Sequence, residues 1–96
     1  MMKEANIRLE CLRPAQDGWQ QPTADEVQEV LRVGGFHKNQ AASLLGLGES
    51  GDRTIRRWTS GETLISYANW ALLCDFAGLG VIWKEEGLNA KGKFSG

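Results

Sequence analysis

Glycines set the scale of this chain. Gly34-Gly35, Gly46 and Gly61 fall between segments with helical apolar spacing. Glycine weakens a helix interior and readily supplies the left-handed residue on which helices end. No helix between residues 23 and 77 can therefore be long. That stretch must be built from short helices that bury their apolar sides against one another.

The segment PTADEVQEVLRVGG predicts the first helix. Thr23, followed three residues later by Glu26, is a capping box, and Asp25 and Glu26 suit the positive end of the helix dipole. Val27, Val30 and Leu31 form its apolar face, and Gly34-Gly35 stops it. A second helix is expected over about Asn39 to Leu45, with Asn39 as cap and Gly46 as breaker. A third begins near Asp52, whose carboxylate can cap, and runs through Trp58 until Gly61. Ile55 and Trp58 share one side of it, which leaves Arg53, Arg56 and Arg57 pointing away. The fourth covers about Ser66 to Ala77: Tyr67, Trp70, Ala71 and Cys74 lie on one side, Leu72, Leu73 and Phe76 on others. A helix apolar nearly all round must be covered on more than one side. It is either a central helix or half of a subunit interface.

The ends are less regular. Residues 1–22 hold both prolines, Pro14 and Pro22, around the loop AQDGWQQ. Ile7, Leu9 and Cys11 alternate with Arg8 and Glu10, the pattern of a short strand or extended arm. Such a strand would pair with Val81-Ile82-Trp83 or with the same segment of another subunit. Trp19, in its polar loop, either folds back onto the core or serves an interface. The segment KEEGLNAKGKFSG has few apolar residues and reads as a mobile tail. The expected organisation is an N-terminal arm (1–22), a helical domain (23–83) and a flexible tail (84–96). The fold class is mainly all-α: four to five short helices with a helix-turn-helix, and short strands or an extended arm at the termini.

At 96 residues the chain supports one core. Cys11 and Cys74 lack metal-ligand spacing; a disulfide between them is the alternative, and reduced thiols are the expectation. The most apolar stretch, Tyr67 to Ile82, is interrupted by Asn69, Asp75 and glycines, so no membrane span is expected. No secretory signal is visible, which gives a cytoplasmic expectation. His37 is the only histidine and has no indicated acid or nucleophile partner; capping, a phosphate contact or, above these, plain exposure suits it better. Trp58 and Trp70 have apolar neighbours at helical spacing and read as core. Glu85-Glu86 reads as a solvated pair. No glycine-rich phosphate loop, metal-ligand cluster or carboxylate pair appears, so neither an enzyme nor a cofactor or metal is expected.

The formal net charge of −1 argues against a protein that coats nucleic acid in bulk, yet charge is segregated along the chain. From Arg53 to Trp58 there are three arginines and no acid, while Asp25, Glu26 and Glu29 cluster elsewhere. Taken alone, such arginines are a solvated helix face. What precedes them changes the reading. Ala42 is small where another helix must cross closely, Gly46 suits a sharp turn, Leu47 can plug the corner, and Ile55 and Trp58 pin the next helix.

On these residues AASLLGLGESGDRTIRRWTSGE resembles the helix-turn-helix of the Cro/C1-type repressors, and ISYANWALLCDFAGL resembles the helix that follows in small regulators of plasmids and mobile elements. The narrower resemblance is to KorC-like plasmid repressors. The likeness covers about residues 23–80. One departure is the turn Gly48–Asp52: Ile55 stands thirteen positions after Ala42, more than the family spacing.

The resemblance implies a transcriptional repressor that binds a double-stranded DNA operator. Arginine hydrogen-bonds bidentately to guanine in the major groove, so Arg53, Arg56 and Arg57, with Thr54, are the expected base contacts. Lys38 and Asn39 resemble the family's backbone contacts, and Thr59 and Ser60 are placed to reach phosphate at the far end. One such helix makes a small interface, and Leu72, Leu73, Phe76, Leu79 and Trp83 supply surplus apolar surface. A homodimer on a palindromic site is therefore expected. The rival is a helical interaction module, antitoxin-like or anti-defence, that grips a protein with the fourth helix or the Trp19 loop.

Overall fold

The computed structural model describes residues 6–83. A 3-10 turn at Leu9–Leu12 precedes four α-helices: α1 (Ala24–Gly34), α2 (Lys38–Leu44), α3 (Gly51–Ser60) and α4 (Tyr67–Phe76). The fold is all-α, with no strand among the described residues.

The capping box of α1 forms as the sequence predicts: Glu26 N–H donates to Thr23 Oγ1 at 3.2 Å, and Thr23 N–H donates to Glu26 Oε1 at 2.8 Å. Val27, Val30 and Leu31 are buried. Gly35 (φ +72°) ends the helix in the left-handed region, and Phe36 N–H then donates back to Leu31 O at 2.9 Å. Helix α2 begins at Lys38 rather than Asn39. His37 is its N-cap, and the His37 N–H is satisfied by Gln40 Oε1 at 2.9 Å. Asn39 therefore lies inside the first turn. Helix α3 likewise starts before Asp52, at Gly51, with Ser50 in the cap position. Asp52 caps nothing and turns instead toward Arg56.

The apolar girth of α4 is covered from two sides within one chain. Helix α1 packs against it, and residues 6–22 close over it as a second wall. Trp70 Nε1 donates to the Cys11 carbonyl at 2.8 Å, and Trp19 Nε1 donates to the same oxygen at 3.1 Å. The Trp19 ring meets Tyr67 edge-on at 5.0 Å, so Trp19 folds back onto the core. Trp70, Ile55, Ile65, Leu73, Val27, Val30, Cys11 and Cys74 are the largest fully buried side chains.

The strand expected at the N-terminus is replaced by the 3-10 turn for a local electrostatic reason. Arg8 is drawn to Glu26: its backbone N–H and Nε both donate to Oε2 at 2.9 Å, and Nη2 donates to Oε1 at 2.9 Å. The Arg8 N–H and the Cys11 carbonyl are thereby engaged with side chains and are not offered to a neighbouring strand. Leu9 is left facing solvent, and Val81-Ile82-Trp83 forms no strand. Burial pushes the Glu26 carboxyl up, but the bonds from Arg8 and Thr23 outweigh it and hold the group at about 2. The neighbouring Cys11 thiol is pushed up to about 11, by burial first and then by the Glu26 charge. The expected tail from residue 84 lies outside the described residues. None of the described helices is long and apolar enough to cross a membrane.

Candidate nucleic-acid interface

Helices α2 and α3 meet more extensively than any other pair of elements. Their crossing depends on two small residues, of which the sequence reading found only Ala42. The other is Gly51. A Cβ placed there would lie 2.6 Å from Ala42 Cβ and 2.8 Å from Leu47 Cβ, well inside contact distance. Gly46 (φ +68°) turns the chain after α2, and Leu47 N–H donates to Ala42 O at 3.0 Å, which seats Leu47 in the corner. Of the turn Gly48–Asp52, residues 48–50 stay in the connection, where Gly48 takes φ +84° and accepts from Gly51 N–H at 3.1 Å, while Gly51 and Asp52 join the first turn of α3.

Helix α3 is anchored along one side by Gly51, Ile55, Trp58 and Thr59, all buried. Its far end is tied to α1 by Gln28 Nε2, which donates to Thr59 O at 2.8 Å. No pattern in the sequence announces that bond, because its partners are far apart in the chain and the acceptor is a backbone carbonyl. The other side of α3 presents Arg53, Arg56 and Arg57 to solvent, with Thr54 half-buried beside them. Asp52 Oδ2 approaches Arg56 Nη2 at 3.7 Å, and Glu62 Oε2 approaches Arg57 Nε at 3.9 Å. Among the described residues Arg53 has no ion-pair partner.

The surrounding polar residues divide. Lys38 and Asn39 are exposed at the start of α2, and Ser60 is exposed at the end of α3. Lys38 and His37 also border a cleft of about 460 Å³ with Gln28, Arg32 and Thr59. Thr59 is not available as the surface contact the sequence suggested. It is buried, and its hydroxyl donates to Arg56 O at 3.1 Å.

The apolar set divides in the same way. Leu73 is fully buried in the protomer's own core, so it has no surface to offer a partner, and Leu79 is half-buried against that core. Leu72, Phe76 and Trp83 remain exposed. Leu72 and Trp83, with Tyr67, Ala68 and Ala71, line an apolar groove of about 370 Å³ along α4.

The class so defined is an all-helical domain that holds one short helix rigidly by its apolar side and offers that helix's arginines outward. Comparison with known proteins narrows it. A transcriptional repressor protein KorC from Escherichia coli is 62% identical over 85 residues, covering 88% of this chain and 99% of the relative. A second Escherichia coli KorC is 57% identical over 86 residues, covering 90% and 100%. The chain belongs to the KorC family of transcriptional repressors. No family model matches it. No solved structure matches it either.

Proposed function

We propose that the protein represses transcription as a homodimer bound to double-stranded DNA, with α3 as recognition helix in the major groove of a palindromic operator. The observation that carries this reading is the disposition of α3. It is pinned by Gly51, Ile55 and Trp58 on one side and exposes three arginines on the other. An arginine reads guanine O6 and N7 only when its backbone is held steady at the right depth, and a helix fixed at both ends provides that. Arg53 stands nearest the amino end, where recognition helices reach base edges, with Arg56 and Arg57 one turn on. Thr54 is suited to a thymine methyl or a phosphate. Lys38, Asn39 and Ser60 flank this surface and suit phosphate.

Two copies joined through Leu72, Phe76 and Trp83, with Leu79 at the margin, would bury the apolar surface along α4. Two-fold symmetry then sets half-site centres about 34–36 Å apart, or a multiple of that. Selection of bound duplexes from a random DNA library, at two salt concentrations, tests the reading. The expected result is a two-fold-symmetric motif whose affinity falls by about 0.9 log units per log unit of salt for each phosphate contact. Arg53→Ala is expected to cost about 1–3 kcal/mol in operator binding and to relax the requirement at one base pair. A folded, dimeric sample that enriches no motif overturns the proposal.

A further inference from the structure

The arginines of α3 are not equivalent, and the difference lies in two carboxylates. Asp52 stands one turn before Arg56 on the same helix, at 3.7 Å, with both side chains about half exposed. Glu62 comes from outside the helix. Gly61 (φ +86°) reverses the chain, Glu62 N–H donates to Arg57 O at 2.9 Å, and the carboxylate is thereby brought to 3.9 Å from Arg57 Nε. Such exposed pairs add little to stability. Acids beside a surface meant for a polyanion need another explanation, the more so in a chain whose net charge is already −1.

We propose that Asp52 and Glu62 are specificity-determining residues that make the arginines of α3 accept a base edge and discourage a phosphate; this rests on the DNA-binding reading above. A guanidinium carries five N–H donors. Guanine presents two neutral acceptors, O6 and N7, which can take two donors while a carboxylate keeps another. A phosphate is an anion. To bind the same arginine it must either displace the carboxylate or sit beside it, and like charges at such separations repel. The carboxylates therefore leave operator contact nearly intact and weaken contact with any duplex that offers only its backbone. Discrimination arises as much from rejecting the wrong surface as from binding the right one. Arg53, which has no such partner among the described residues, is the arginine that engages either kind of DNA.

The experiment compares wild type with Asp52→Asn, Glu62→Gln and the double variant. Each is titrated by fluorescence anisotropy against the duplex selected by the wild type and against a duplex of equal length and unrelated sequence. Asp17→Asn, in the N-terminal loop, controls for the change in net charge. Each α3 variant is expected to bind the unrelated duplex about fivefold more tightly, the order of one exposed ion pair, and to change operator affinity by less than about twofold. The ratio of the two affinities therefore falls about fivefold per carboxylate, while Asp17→Asn leaves it unchanged. An unchanged ratio in both α3 variants overturns the inference. So does an equal change on both duplexes, with or without a lowered melting temperature, because it marks a general or structural effect. A wild type that selects no duplex overturns the DNA-binding reading itself, and this inference with it.

Discussion

Glu26→Gln isolates the charge on which the N-terminal segment is hung. Glutamine keeps an acceptor for the capping box, so the start of α1 is retained. The negative partner of Arg8 is lost, and an amide N–H₂ now faces a guanidinium that has only donors. In the folded protein the carboxyl is held at about 2 against an ordinary 4.5. At about 1.4 kcal/mol for each tenfold, that difference corresponds to about 3 kcal/mol. Arg8 is about half exposed, so solvent screening lowers the expected cost to about 2 kcal/mol at pH 7. For a domain of this size the melting temperature should fall by roughly 8–16 °C. The sign with pH follows from the depressed value. The stabilisation is complete above about 4.5 and is lost as pH falls from there through about 2. Urea titrations read by tryptophan fluorescence should show a gap between wild type and variant that is constant near neutrality and shrinks to about a quarter of that size or less by pH 2.5. Equal stabilities at pH 7, or a gap undiminished at pH 2.5, would refute the role given to the Arg8–Glu26 pair.

Gly51→Ala gains helix propensity, but its methyl would meet Ala42 Cβ at 2.6 Å and Leu47 Cβ at 2.8 Å, neither of which can rotate away. A net loss of about 1–3 kcal/mol in a urea titration is expected, and a stabilised variant would mean that the two helices do not cross as described. Cys11 and Cys74 are buried free thiols, and burial pushes them up to about 11 and about 12. Both should react slowly with an aromatic disulfide reagent at pH 8 in the native protein and rapidly in denaturant; fast reaction without denaturant would contradict their burial. Trp70→Phe keeps the ring volume largely in place but removes the 2.8 Å bond to the Cys11 carbonyl, and should cost about 1–3 kcal/mol in the same titration.

What was legible in the sequence was what is local in the chain. Thr23 and Glu26 cap α1 because they stand three residues apart, and Val27, Val30 and Leu31 repeat at the helical interval. Ile55 and Trp58 likewise orient α3, and with it the arginines. Helix α4 is apolar beyond the side that carries Trp70, Ala71 and Cys74, so nothing in its order could tell Leu72 from Leu73, and the structure turns the first outward and the second inward. The alternation of Ile7, Leu9 and Cys11 suggested a strand because the pull of Glu26 on Arg8 acts across eighteen positions and leaves no periodic trace. Thr59 and Ser60 look interchangeable in sequence. Only the packing of α3 against α1 shows that the threonine is inside.

The convergence of Trp19 and Trp70 on one carbonyl has a consequence for anyone who would transplant this unit. The stretch bearing the four helices invites excision at Thr23 as a portable module. Cut there, it would leave with its roof missing. The indole N–H of Trp70, set deep in the core, would have no acceptor, and one flank of α4 would be wet. The portable unit must carry residues 6–22 with it, and a fusion partner belongs ahead of Asn6, not at the first long helix.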